Sequence, residues 1–160
     1  MSFDRGLQQC LPRLRRFAHT LCRDGADADD LTQATAERAW KARGQYQDGT
    51  RLDSWLFRIM RNQWIDTVRA RGRRGQVEVS EEAGLGQGHD PRPGLEAALD
   101  LASAMKAMDR LPDDQREVVA LILVEGFGYR EVAEMLELPI GTVSSRLVRG
   151  RTALLAMLGE

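Results

Sequence analysis

The 160-residue sequence predicts an all-α fold, two small helical domains joined by a flexible linker. Three observations predict it. Apolar residues recur at helical spacing through both halves of the chain. No segment sustains the alternation of a strand. A stretch punctuated by glycine and proline, residues 72–94, breaks the pattern and is too long for a loop inside a compact domain. The resulting division is 1–73 for the first domain, 74–94 for an acidic linker and 95–160 for the second domain.

Each element follows from its residues. Leu7, Leu11, Leu14, Phe17, Ala18 and Leu21 predict an amphipathic helix over roughly 4–23, ended by Asp24-Gly25. A second helix is expected from about Asp27 to Arg43. Asp27, Asp29 and Asp30 lie near its positive N-terminal end, and Leu31, Ala34 and Trp40 are its apolar positions. Residues 44–51 are polar and glycine-bearing, hence a loop. Trp55, Leu56, Ile59, Met60, Trp64 and Val68 predict a third helix, about Leu52 to Arg71. After the linker, Leu95, Leu99, Leu101, Met105 and Met108 resume helical spacing. Leu111-Pro112-Asp113-Asp114 reads as a helix start with proline in the first turn. Val118, Val119, Leu121, Ile122 and Leu123 make that helix mostly buried, ending at Gly126-Phe127-Gly128. A short helix with an inner stripe of Val132, Ala133 and Leu136 comes next. Glu137-Leu138-Pro139 forms a turn, with Pro139 tolerated in the first turn of a longer helix whose Val143, Leu147 and Leu154 share a face.

The net charge of −1 hides an asymmetry. Residues 1–74 carry 15 basic and 9 acidic side chains, residues 75–100 carry 1 and 6, and residues 101–160 carry 7 and 9. Only the first module has the excess of cations that attracts a polyanion. No apolar run reaches about 18 residues, so no membrane insertion is expected. Met1-Ser2-Phe3-Asp4-Arg5 leads into nothing like a signal peptide, which makes the cytoplasm the default address. Cys10, His19 and Cys22 lack the fourth ligand and tight pairing of a structural zinc site, and His89 lies far off in a glycine-rich stretch. They read instead as side chains of an amphipathic helix, the thiols reduced and buried or half-buried. No nucleophile–base pair, phosphate-binding glycine loop or metal set is present. Neither enzymatic activity, a cofactor nor a small-molecule substrate is expected.

Two surfaces are suited to nucleic acid. In the last helix Thr142, Ser145 and Arg149 point away from the apolar stripe, Arg146 and Arg151 lie nearby, and no acid occurs between Ile140 and Met157. Small hydroxyl residues let a helix enter the major groove, and arginines reach guanine edges or phosphates. Any two short amphipathic helices with a turn share the general pattern; the acid-free face is what adds to it. In the first module, residues 58–74 hold six arginines and one acid, with Tyr46, Trp55, Phe57 and Trp64 in or near the same region. Arginines track phosphates and aromatic rings stack on unpaired bases. Trp55 and Trp64 read equally well as core, and an arginine-rich helix end also complements the helix dipole.

Specific motifs narrow this further. Asp30-Leu31-Thr32-Gln33, Ala39-Trp40-Lys41-Ala42 and Ser54-Trp55-Leu56-Phe57-Arg58-Ile59, with Arg61-Asn62 and Asp66, resemble region 2 of bacterial extracytoplasmic-function (group IV) sigma factors. Leu111-Pro112-Asp113-Asp114-Gln115-Arg116-Glu117-Val118, Gly128-Tyr129-Arg130-Glu131-Val132-Ala133 and Pro139-Ile140-Gly141-Thr142-Val143-Ser144-Ser145-Arg146 resemble region 4 of the same family. The likeness spans nearly all of residues 5–157, in order, with a linker where the family has one.

The resemblance implies an alternative sigma factor that binds core RNA polymerase and directs it to promoter DNA. It assigns polymerase binding to Asp30, Gln33, Glu37 and Trp40 on the second helix. It assigns capture of the melted −10 strand to Tyr46, Asp48 and Gly49 in the loop and to Arg58, Arg61, Asn62, Asp66 and Arg69 on the third helix. Reading of the −35 duplex falls to Arg130, Thr142, Ser144, Ser145, Arg146, Arg149 and Arg151, with Arg130 and Arg151 on phosphates. An anti-sigma factor is the implied regulator. Two positions depart from the family: Ser144 stands where Arg or Lys is common, and Gly128 where a Ser cap is common. The linker of such proteins is expected in the polymerase's RNA path, and the acids Glu78, Glu81, Glu82, Asp90 and Glu96 are expected to mimic RNA there. Two other readings stay open on the sequence: a free-standing helix-turn-helix regulator, against which the lack of a dimerising heptad counts, and a decoy that binds an anti-sigma factor, against which the retained Asn62, Asp66, Arg146 and Arg149 count.

Overall fold

The computed structural model describes residues 2–73 and 96–159, with side chains in the second segment described from residue 102. The expected acidic linker and the RNA-mimicking carboxylates Glu78, Glu81, Glu82 and Asp90 lie outside these residues, and the Glu96 carboxylate lies outside the described side chains. Seven α-helices make up the described segments, and none of the described residues forms a strand.

The first bundle comprises α1 (Phe3–Leu21), α2 (Gly25–Lys41) and α3 (Leu52–Arg73). The Ser2 hydroxyl caps α1 by accepting from the Arg5 N–H at 3.2 Å. Leu7, Leu14, Phe17 and Ala18 are buried as their spacing predicts, while Leu11 and Leu21 are only half-buried. Helix α1 ends at Leu21 with Cys22 as its cap, ahead of the expected Asp24-Gly25, and that pair instead starts α2, two residues ahead of the expected Asp27. The Asp24 side chain, on an extended backbone, accepts from the Ala26 N–H at 2.9 Å and satisfies an orphan donor of the new helix. A 3-10 turn, Arg43–Gln45, leads into the loop. Helix α3 runs two residues past Arg71. Arg71 grips Asp27 at 2.8 and 2.9 Å, which ties the C-terminal end of one helix to the N-terminal end of another with charges that suit both dipoles. Trp40 corrects the periodic reading of α2: its side chain is 42% exposed, with the Arg43 guanidinium 3.7 Å above the ring. Val68 is likewise exposed.

The second bundle comprises α4 (Glu96–Met108), α5 (Asp113–Val119), α6 (Tyr129–Leu136) and α7 (Ile140–Met157). Pro112 and Pro139 sit one residue earlier than expected, at the N-cap positions of α5 and α7, with extended ψ values of 152° and 146°. A π-helical turn, Ala120–Val124, prolongs α5, closed by the Glu125 N–H donating to the Ala120 carbonyl at 2.9 Å. The wider turn shifts its side chains around the axis relative to α5, so Leu123, expected inside, is exposed. Gly126 then reverses the chain at φ 82°, a conformation that glycine adopts without steric cost. Gly128 caps α6, its N–H donating to the Glu131 carboxylate at 3.0 Å. Helix α7 crosses α5 at Gly150, where an added Cβ would lie 2.7 Å from Val119 Cγ2. Helices α6 and α7 thus form the expected helix-turn-helix, with the turn made by Glu137 in the left-handed region at φ 57°.

The two bundles touch. Helices α1 and α3 pack on α5, the π turn and α6, and buried apolar residues of both bundles form one continuous cluster. Phe57 of α3 joins Phe17 of α1 at 5.1 Å and Phe127 of the second bundle at 5.1 Å. The two-module architecture stands, but the modules share a face as well as a linker.

Candidate nucleic-acid interface

The residues expected to face the polymerase form a coherent set. Asp30, Gln33, Glu37 and Trp40 lie at i, i+3, i+7 and i+10 of α2, and all four are exposed. Helical geometry alone puts them on one face.

The residues expected at the −10 strand fall into separate places. Arg61, Asn62, Asp66 and Arg69 line one cleft of about 430 Å³, together with Arg38 of α2 and Glu137 of the second bundle. Gln63 lies in the same cleft, and its Oε1 is buried without a hydrogen-bond partner among the described residues. Tyr46 and Asp48 line a different cavity, also about 430 Å³, with Phe3, Gly6, Arg13 and Asp53. Tyr46 packs 5.4 Å from Trp55 and 6.1 Å from Phe3, ring centre to ring centre, and its hydroxyl donates to the Thr50 carbonyl, which stiffens the loop. Gly49 is exposed at the loop tip. Arg58 lines neither cavity; its guanidinium donates to the Glu134 carbonyl of α6. Among the aromatics, Phe57 is fully buried and serves the core, while Trp55 and Trp64 are half-buried.

On the helix-turn-helix, Arg130, Arg149 and Arg151 are exposed, and Thr142, Ser144 and Ser145 are half-buried along α7. Arg146 is held back. Its Nε lies 3.6 Å from the Asp114 carboxylate of α5, and its side chain is 25% exposed. Of the seven residues expected at the −35 duplex, it is the one whose charge is shared with a neighbouring helix among the described residues.

A group of charged residues that, Arg61 apart, the sequence did not single out lies between the bundles. The Glu125 side chain, 1% exposed, accepts from Arg13 Nε at 3.0 Å and from Arg16 Nε and Nη2 at 2.8 and 2.9 Å. Arg13 also donates to Asp53 at 2.9 Å. Burial opposes ionisation of Asp53, but hydrogen bonds from Arg51 and Arg13 outweigh it and hold its carboxyl below the ordinary value. Arg51 donates to both Glu131 oxygens at 2.9 and 2.8 Å. Arg61 donates to Glu117 at 3.2 and 3.3 Å. Burial pushes the Glu117 carboxyl up despite that partner. Arg116, 3% exposed, donates to the Thr20 carbonyl at the end of α1 at 2.8 Å. Pairs so distant along the chain leave no local sequence signal. Cys22 behaves as the sequence indicates: burial pushes its thiol up to about 12. No cluster of metal-ligating side chains occurs among the described residues.

Comparison with known proteins agrees with this anatomy. Residues 7–74 match Sigma-70 region 2 and residues 101–154 match Sigma-70, region 4. Over 148 residues the chain is 37% identical to the ECF RNA polymerase sigma factor EcfG of Rhodopseudomonas palustris, covering 92% of this chain and 80% of that protein. It is 32% identical over 152 residues to the RNA polymerase sigma factor CarQ of Myxococcus xanthus, covering 93% and 84%. Among solved structures, the sigma factor RpoE of Bartonella quintana, crystallised with the anti-sigma factor NepR, superimposes with a TM-score of 0.80 at 35% identity, covering 98% of this chain and 96% of that one.

Proposed function

The chain belongs to the extracytoplasmic-function sigma factors, which direct transcription, and we propose that its two bundles divide promoter recognition between them. Residues 1–73 bind core RNA polymerase through the exposed face of α2 and hold the melted −10 strand along α3 and the 44–51 loop. Residues 95–160 read the −35 duplex with α7. The observation that carries this assignment is the clustering of Arg61, Asn62, Asp66 and Arg69 of α3 around one cleft. The cleft mixes cations for phosphate with amide and carboxylate groups able to read a base edge. The half-buried Tyr46–Trp55 pair beside the loop offers aromatic surface for an unstacked base.

The protein works as a non-enzymatic subunit in the cytoplasm, where its polymerase is; no described helix is long and apolar enough to cross a membrane. Its regulator is an anti-sigma factor, in line with the Bartonella relative's complex with NepR.

Purified core polymerase supplied with this chain alone tests the reading. Promoter-specific initiation is the expected result, and its absence sinks the assignment. Asn62→Ala should lower open-complex formation about tenfold, as for one lost hydrogen bond of about 1.4 kcal/mol, at unchanged affinity for core polymerase. Loss of polymerase binding in that variant would make Asn62 structural.

A further inference from the structure

The cleft proposed for the −10 strand has a neighbour. A second cleft of about 490 Å³ runs between α2 and α3, lined by Ala34, Glu37 and Lys41 of α2 and by Gln45 at the start of the loop. Arg38 and Gln63 line both clefts, so they form the wall between them. Gln63 follows Asn62 and is turned about 100° from it around the axis of α3. Arg38 is exposed and Gln63 half-buried.

The Gln63 amide is only partly served. Its Oε1 is buried and accepts no hydrogen bond among the described residues. Thr67, one turn on, does not supply one: its hydroxyl donates to the Gln63 backbone carbonyl at 3.0 Å. A buried acceptor without a donor is costly, and native structures keep few of them. A molecule entering the cleft removes that cost if it brings an N–H to this oxygen. The phosphates and sugars within a DNA strand bring none. The exocyclic amines of adenine, cytosine and guanine do. Thymine carries no amine, and its one N–H lies between two carbonyl oxygens that repel a third.

We infer that Gln63 reads one base of the −10 element, its Oε1 accepting from an exocyclic amine, while Arg38 of α2 holds an adjoining phosphate. The inference rests on the assignment of the −10 strand to this cleft. It adds a base-reading amide on the α2 side of α3, beside the Asn62, Asp66 and Arg69 face, and it carries the strand's path over the wall toward Lys41 and Gln45. Arg38 positions the strand without reading it, as a cation on a phosphate does.

The test uses holoenzyme assembled from core polymerase and the full chain. A promoter library randomised over both elements is enriched on the wild-type holoenzyme, and the enriched promoter is then varied base by base through its −10 element. At one position the wild type should favour an amine-bearing base over thymine about tenfold. Gln63→Met, which keeps the unbranched length without the amide, should lose that preference and keep those at every other position; Gln63→Ala guards against a methionine that fits badly. Replacing the preferred base by its amine-free analogue (purine for adenine, 2-pyrimidinone for cytosine, hypoxanthine for guanine) should cost the wild type about tenfold and the Gln63→Met holoenzyme nothing. Gln63→Glu retains an acceptor and should retain the preference, at lower affinity for every sequence. Arg38→Ala should weaken all sequences evenly and reduce the slope of log affinity against log salt by about 0.7. Wild-type base preferences in both Gln63→Met and Gln63→Ala overturn the inference. So does a loss spread evenly over all bases, which makes Gln63 a packing residue. If Asn62→Ala still impairs open-complex formation in either case, the −10 assignment stands without Gln63. A wild-type holoenzyme that fails to initiate overturns the promoter reading itself, and this inference with it.

Discussion

Arg149 and Arg146 stand three residues apart on the same helix, yet they are not equivalent. Arg149 is exposed, whereas Arg146 shares its charge with Asp114 across the gap to α5. A base contact needs a side chain free to reach and preorganised for two hydrogen bonds; a side chain that spans two helices orients one against the other. Replacing Arg149 by Ala should therefore cost about 1–3 kcal/mol in −35 duplex binding, concentrated on one base pair. Measured across single-base variants of the site, an even loss would identify a phosphate contact. Ser144 lies beside them, half-buried along α7.

At the scale of the element, the packing of α7 on α5 depends on one missing atom. Gly150 sits in the middle of an 18-residue helix, where glycine costs about 1 kcal/mol against alanine. Helical propensity alone would favour Gly150→Ala. The crossing reverses the sign, since the new methyl would press on Val119 at 2.7 Å and on Gln115 at 3.4 Å. Overpacking of this kind costs about 1–3 kcal/mol. A net loss of about 1 kcal/mol in thermal or urea unfolding is expected, with weaker −35 binding as α7 shifts; an unchanged or raised melting temperature would show that α5 yields freely. The π turn matters as much. Without Ala120–Val124, Glu125 and Phe127 would not follow one another into the face of α1 and α3.

For the molecule as a whole, the question is how firmly the bundles hold each other. The ion pairs offset their own desolvation only in part. Phe127, which buries a whole ring against Phe57 beneath two guanidiniums, contributes the apolar share. Phe127→Ala should weaken the contact between the bundles by up to about 3 kcal/mol. In hydrogen exchange this would appear as lost protection at the π turn and the neighbouring face of α3, while the interior of α7 stays protected. Unfolding of the second bundle in this variant would instead place Phe127 in that bundle's own core.

The helices, the turn before α7, the shared face of Asp30, Gln33 and Glu37 on α2 and the acid-free face of α7 were all legible in the sequence. Each depends on interactions between residues a few positions apart: the 3.6-residue period and the punctuation of Pro139. Trp40 shows the limit of that reading, since an apolar residue at helical spacing can face solvent when a neighbouring cation covers its ring. What only the tertiary structure decided is the closure of one bundle on the other. Arg13 and Glu125 are separated by 112 residues, Arg61 and Glu117 by 56, and Arg51 and Glu131 by 80. Periodicity within a helix says which face is polar. It does not say which distant carboxylate an arginine on that face will meet, because that partner is chosen by how whole helices pack.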